Sequence, residues 1–113
     1  MSLMPNQATH IPSYLIIGLG QTGLSCVRFL VKLGYTVAVM DTREKPPGLV
    51  TLQTEYPEVI VHVGGLDSYW LEQADVIVIS PGVDPRLPEI VSAKAAGIEL
   101  VGDIELFARY ANA

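Results

Sequence analysis

Cysteine is all but missing from this chain. Cys26 is the only one in 113 residues, so no internal disulfide can form and a cross-linked framework is excluded. Histidine is nearly as scarce, and neither His10 nor His62 has a Cys, His or acidic partner at metal-ligand spacing, so no zinc site is read from the sequence. Positive charge is sparse: 7 Lys and Arg stand against 12 Asp and Glu, for a formal net charge of -5. A basic footprint for the nucleic-acid backbone is therefore lacking, and nucleic acid is excluded as a partner. The apolar runs are far too short to cross a bilayer, which excludes membrane insertion, and no signal-peptide pattern opens the chain. Nothing matches G-x-x-x-x-G-K-[ST], and no Ser-His-Asp or Cys-His arrangement is evident. These absences predict a soluble, cytoplasmic protein that binds and does not itself catalyse.

What is present is a well-filled core. Half of the residues are hydrophobic and 17% are charged, a balance that supports one packed domain and argues against disorder. The opening Met1-Ser2-Leu3-Met4 reads as a short expression leader, and residues 1–12 as a leader and disordered start. Beyond it, Val- and Ile-rich runs of strand length recur at Tyr14 to Gly18, Thr36 to Met40, Val59 to Val63, Val76 to Ile79 and Glu99 to Val101. They are continuous, not alternating, as in parallel strands buried on both faces. Between them, Leu24, Val27, Leu30 and Val31, and later Leu87, Ile90, Val91 and Ala95, have helical spacing, with Gly34 and Gly97 placed as helix stops. A shorter helix is expected within Leu49 to Tyr56, and another over Ile104 to Tyr110 capped by Asp103. Strand alternating with helix predicts an α/β fold: a Rossmann-like, doubly wound parallel sheet of about five strands in the order 3-2-1-4-5.

Three polar turns fall at one edge of such a sheet. The first is Gly18-Leu19-Gly20-Gln21-Thr22-Gly23, a G-x-G-x-x-G between a strand and a helix. There Gly18 permits the tight turn, Gly20 lets a phosphate approach the backbone, and Gly23 allows helix and strand to pack closely. The helix N-terminus adds free N–H groups and a positive dipole end. The second turn is Asp41-Thr42-Arg43, with Asp41 23 positions after Gly18, about where a carboxylate meets a ribose hydroxyl in dinucleotide binders. Arg43 could instead accommodate a further phosphate or stack on a base, and a solvated turn with a local Asp-to-Arg pair would look the same. The third, Ser80-Pro81-Gly82, ends the fourth strand; in the expected order it faces the glycine loop where the winding reverses. Elsewhere, Cys26 reads as a small buried hydrophobe and His62 as a core or edge residue. Tyr69 and Trp70 read as packing a short helix on the sheet, and Asp75 lies at the wrong edge for a site. The spacing favours a nucleoside with its phosphates, and the residues alone leave open an NAD(P)-binding domain of a dehydrogenase or sensor and a scaffold that binds nothing.

Taken in order, Ile17-Gly18-Leu19-Gly20-Gln21-Thr22-Gly23-Leu24-Ser25, Met40-Asp41-Thr42-Arg43 with Pro46-Pro47-Gly48-Leu49, Ser80-Pro81-Gly82-Val83, Ala96-Gly97-Ile98-Glu99 and Gly102-Asp103-Ile104-Glu105-Leu106-Phe107 resemble one family. It is the amino-terminal domain of the MurD ligases, which join D-glutamate to UDP-N-acetylmuramoyl-L-alanine. The resemblance implies that the glycine loop holds the diphosphate of a UDP-sugar, not of NAD. It implies that Gln21 and Thr22 face that diphosphate, that Asp41, Thr42 and Arg43 hold or flank the uracil, and that Ser80, Pro81 and Gly82 close the other side. Gln21 departs from the family, which often has an apolar residue there, so only its backbone role carries over. The resemblance further implies an ATP- and magnesium-dependent amide-forming step of cytoplasmic peptidoglycan synthesis, with D-glutamate and ATP taken by domains beyond Asn112-Ala113. Residues 13–113 are then a UDP-binding domain with no catalytic or metal-binding residue of its own.

Overall fold

The computed structural model describes residues 13–111; the leader expected at 1–12 lies outside them. Five strands, β1 (Ser13–Ile17), β2 (Thr36–Asp41), β3 (Ile60–Val63), β4 (Val76–Ile79) and β5 (Glu99–Gly102), form one sheet in the order β3-β2-β1-β4-β5. All four pairings are parallel, with Leu15 opposite Ala38 on one side and Ile77 on the other. The expected architecture and strand order are both realised. Between and after the strands run α1 (Gln21–Lys32), α2 (Leu49–Glu55), α3 (Ser68–Gln73), α4 (Pro88–Ala95) and α5 (Asp103–Ala111).

Alternation along β1 divides the core into two. Tyr14 and Ile16 point to one face, where they meet Val27 and Leu30 of α1, Leu52 of α2 and Leu106 of α5. Leu15 and Ile17 point to the other, against Leu71 of α3 and Ile90 and Ala93 of α4. Every one of these side chains is at most 5% exposed, which is why β1 and β4 read as unbroken apolar runs. On the first face a hydroxyl chain, Tyr14 to Tyr110 at 2.8 Å and Tyr110 to Tyr35 at 3.2 Å, ties α5 to the sheet, beside Phe29 set edge-on to Phe107.

Both helix stops fall where glycine was expected. Gly34 and Gly97 have φ of 91° and 92°, and the following residues close the helix ends: Tyr35 N–H reaches the Leu30 carbonyl at 3.1 Å and Ile98 N–H that of Ala93 at 3.1 Å.

Four local expectations are corrected. β3 is an edge strand and leaves Ile60 and His62 exposed, so its apolar run is not buried on both faces. Gly18 lies outside β1, since its positive φ turns the chain away from the sheet. Asp103 opens α5 as its first residue, because β5 runs straight into that helix without a linking residue to serve as cap. In α3 it is Leu71, 0% exposed, that anchors the helix; Tyr69 is exposed and Trp70 only partly covered. In a helix this short one turn faces the sheet, and Leu71 occupies it.

Candidate functional site

The loop after β1 owes its shape to three glycines with different reasons for lacking a side chain. At Gly18, φ is +102°, and a Cβ would come 2.8 Å from Val83 Cγ2 and 2.9 Å from Ser80 Cβ. At Gly23 a Cβ would lie 2.0 Å from the Gly18 carbonyl oxygen, so α1 could not seat on the loop at all. At Gly20 the backbone is extended and no atom of the described residues lies within 4 Å of the Cβ position. Two glycines are thus demanded by neighbouring protein atoms, and the third leaves room that no atom of the described residues uses. Gly20 is also the N-cap of α1 and has no side chain to cap with. The first bond back to it comes from Leu24 N–H, at 3.0 Å, so the N–H groups of Gln21, Thr22 and Gly23 precede the helical ladder. The first turn carries no acidic residue, and the positive end of the helix is left for an anion.

The turn after β2 is bound to this loop through Asp41, which is 2% exposed. Its Oδ2 accepts the Leu19 N–H and Arg43 Nη2, both at 2.7 Å. Its Oδ1 accepts the Arg43 N–H at 2.8 Å and Nε at 2.9 Å. A carboxylate has about four acceptor positions, so these are all engaged. Burial pushes the Asp41 carboxyl up, but the Arg43 side chain and the Leu19 and Arg43 N–H groups, with the guanidinium charge, outweigh it and hold the group below its ordinary value. The local Asp-to-Arg pair foreseen in the sequence is present, yet its acid is buried and not solvated, while the Arg43 side chain is 54% exposed. Gly18 N–H to the Met40 carbonyl, 2.8 Å, and Gly48 N–H to the Leu19 carbonyl, 3.0 Å, complete the attachment.

The turn after β4 braces the same loop from the other side. Ser80 is buried; its Oγ donates to the Gly18 carbonyl at 3.0 Å and its N–H to that of Ile17 at 3.0 Å. Val83 N–H returns to the Ser80 carbonyl at 3.0 Å and closes the turn over Pro81 and Gly82. Directly beyond, Asp84 is clasped by Arg86 through its N–H at 2.9 Å, Nε at 3.0 Å and Nη2 at 3.1 Å.

Together the three turns enclose a crevice of about 640 Å³, within the range that small-ligand sites occupy. Gly20, Gln21, Thr22 and Gly23 line its floor, Asp41, Thr42 and Arg43 one flank, and Ser80, Pro81 and Gly82 the other. All ten candidate residues therefore meet in one place. Gly18, read as the tight-turn glycine of the loop, lines it as well, as do Ile17, Val83, Asp84 and Leu87, which were not assigned to a site from the sequence. The cue for Asp84 was legible: Asp84-Pro85-Arg86 repeats the Asp-x-Arg spacing of Asp41-Thr42-Arg43.

The residues set aside from the sequence stay apart from the crevice. Cys26 is fully buried in α1, and burial, then the nearby Asp103 charge, raises its thiol pKa to about 11. Asp75 lies at the opposite sheet edge, where it accepts the Ser13 N–H at 2.7 Å. Among the described residues no group of three His, Cys, Asp or Glu could hold a metal ion, and no helix is long and apolar enough to cross a membrane.

Residues 12–102 match the family described as Mur ligase MurD-like, N-terminal domain. Over 109 residues the chain is 47% identical to the UDP-N-acetylmuramoylalanine--D-glutamate ligase of Nitrosococcus oceani, covering 96% of this chain and 24% of that protein. The ligase of the same name from Salmonella paratyphi A is 54% identical over 99 residues, 88% of this chain and 22% of that protein. The chain thus spans about a quarter of the length of these curated relatives. Among solved structures, the UDP-N-acetylmuramate-alanine ligase MurC of Thermotoga maritima superposes with a TM-score of 0.65 at 19% identity, covering 87% of this chain and 22% of that one. An amine oxidase of Pseudomonas geniculata superposes with a TM-score of 0.52 at 22% identity, over 64% of this chain and 14% of that one. Such likeness establishes the fold alone; a ligase and an oxidase share it, so the ligand must be argued from sequence relationship and site.

Proposed function

The chain belongs to the Mur ligase MurD-like N-terminal domain family, and from that premise we propose that its crevice holds the UDP end of UDP-N-acetylmuramoyl-L-alanine. Residues 13–113 act as the UDP-binding domain of a longer ligase. The diphosphate lies over Gly20 to Gly23 and takes the open N–H groups of α1. Thr42 and Arg43 flank the uracil, with Asp41 holding both the glycine loop and the guanidinium in position. Ser80, Pro81 and Gly82 close the sugar side. The observation that carries an anion at the loop is the free space at Gly20: neither strain nor packing requires glycine there, and a bound phosphate does.

In the whole enzyme, ATP and magnesium supply phosphoryl transfer to the alanine carboxylate, and the D-glutamate amine then displaces phosphate to form the amide. The described residues offer no metal-binding cluster and the sequence no ATP phosphate loop, so no step of that chemistry is assigned to them. Their part is to anchor the nucleotide and so fix where the alanine carboxylate is presented. The enzyme serves peptidoglycan synthesis in the cytoplasm. Calorimetric titration of this chain with UDP-N-acetylmuramoyl-L-alanine, UDP, NAD and NADP tests the reading. Binding of the uridine compounds without measurable NAD binding is expected; NAD binding tighter than UDP overturns it.

A further inference from the structure

We propose that Arg86 is a second cation of the crevice, leaving Asp84 to bind the sugar-linked phosphate of a nucleoside diphosphate-sugar. The proposal rests on the UDP reading of the crevice and names a contact within it. A diphosphate site needs positive charge, and this chain has little: its formal net charge is -5. Arg28 and Arg109 are paired with Glu55 and Glu99 in exposed ion pairs. Arg43 lines the crevice, and Arg86 clasps Asp84, which lines it too.

The two Asp-x-Arg pairs differ in how firmly the arginine is held. The Asp41 side chain is 3% exposed and also holds the Leu19 N–H, so Arg43 is locked against a buried acid. Asp84 is 47% exposed and Arg86 87% exposed. A pair this open to water contributes little to stability, so the Arg86 guanidinium can exchange one oxyanion for another at small cost. A phosphate offers the same bidentate geometry as the carboxylate it would leave.

Topology says which phosphate. β1 lies between β2 and β4, so the glycine loop separates the Thr42–Arg43 flank from the Ser80–Asp84 flank. With uracil on the β2 side and the phosphates over α1, the sugar-linked phosphate is the one nearest Asp84 and Leu87. The exposed Asp84 carboxylate is ionised near neutral pH with or without Arg86, and would repel that phosphate if Arg86 were absent.

Calorimetry of this chain with UDP and with UMP, on wild type, Arg86→Ala, Asp84→Asn and the double variant, tests the contact. Both substituted side chains are exposed, and thermal melts check that each of the three variants folds. Arg86→Ala should weaken UDP about tenfold and leave UMP, which lacks the second phosphate, within about twofold. Asp84→Asn removes the competitor and should tighten UDP about two- to threefold. The double variant should remain weaker than wild type. If Arg86 only masks Asp84, the double variant recovers wild-type affinity, and that result overturns the contact. So does an Arg86→Ala variant that loses UDP and UMP equally or loses neither. A wild-type chain that binds no uridine nucleotide overturns the UDP reading itself, which separates the two failures.

Discussion

Replacing Asp41 by alanine removes one carboxylate and four hydrogen bonds, and the structure says what each loss is worth. The Arg43 side chain is half exposed and regains water when released, so its share is small. The Leu19 N–H is different: Leu19 is 0% exposed, and its amide loses the acceptor 2.7 Å away with no solvent to replace it. An orphaned buried donor costs about 1–3 kcal/mol. With the lost bond to the Arg43 N–H, the total is about 3 kcal/mol, against the ~5–15 kcal/mol that hold a domain of this size together. At about 4 °C per kcal/mol the midpoint of thermal unfolding should fall by roughly 12 °C. Because Asp41 organises the glycine loop, binding of inorganic pyrophosphate should weaken along with that of UDP. The effect also carries a pH signature. The folded-state pKa of Asp41 lies below its unfolded value, so its stabilisation is complete above the unfolded pKa, about 3.9, and is lost as pH falls through the folded one. The stability gap between wild type and Asp41→Ala should be constant near neutrality and narrow below about pH 4. Calorimetric melts from pH 7 to pH 3, with pyrophosphate and UDP titrations at pH 7, measure all of this. A variant that melts like wild type and loses UDP alone would refute the positioning role and make Asp41 a direct uracil ligand.

The glycine loop gives a paired test: Gly20→Ala should melt within about 1 kcal/mol of wild type and bind UDP at least tenfold more weakly. Gly23→Ala should be grossly destabilised, because its Cβ would sit 2.0 Å from a carbonyl oxygen; equal stability of the two variants in urea titrations contradicts the loop geometry. In α3, Leu71→Ala should cost about 2–5 kcal/mol and Tyr69→Ala under about 0.5 kcal/mol, as urea midpoints will report. Cys26, buried with its thiol pKa raised to about 11, should react with a thiol reagent at pH 8 only after denaturant is added; rapid labelling of the native chain would mean that α1 opens.

What the sequence determined by itself is what local pattern encodes. Unbroken Val and Ile runs announced the strands, though of β3 not its exposed edge, glycines at 34 and 97 marked helix ends, and the turns after β1, β2 and β4 were readable as one binding edge, because a doubly wound sheet brings the ends of neighbouring parallel strands together. Family membership was likewise legible, since it resides in the order and spacing of short motifs. The tertiary structure decided which atoms are spoken for. Asp41 read as a nucleoside ligand or as the solvated partner of Arg43, and only the fold buries it and brings the Leu19 N–H, 22 residues earlier, within 2.7 Å of it. Ser80 was expected to face the glycine loop, and only the fold sets its hydroxyl on the Gly18 carbonyl 62 residues away. Tyr69 and Trp70 looked like the anchor of α3 by size, yet the helix phase relative to the sheet turns Leu71 inward instead. Periodicity and turn chemistry act within a few residues of their cause and leave a trace in the string of letters. Hydrogen bonds across strands depend on register and helix phase, which the whole core sets at once.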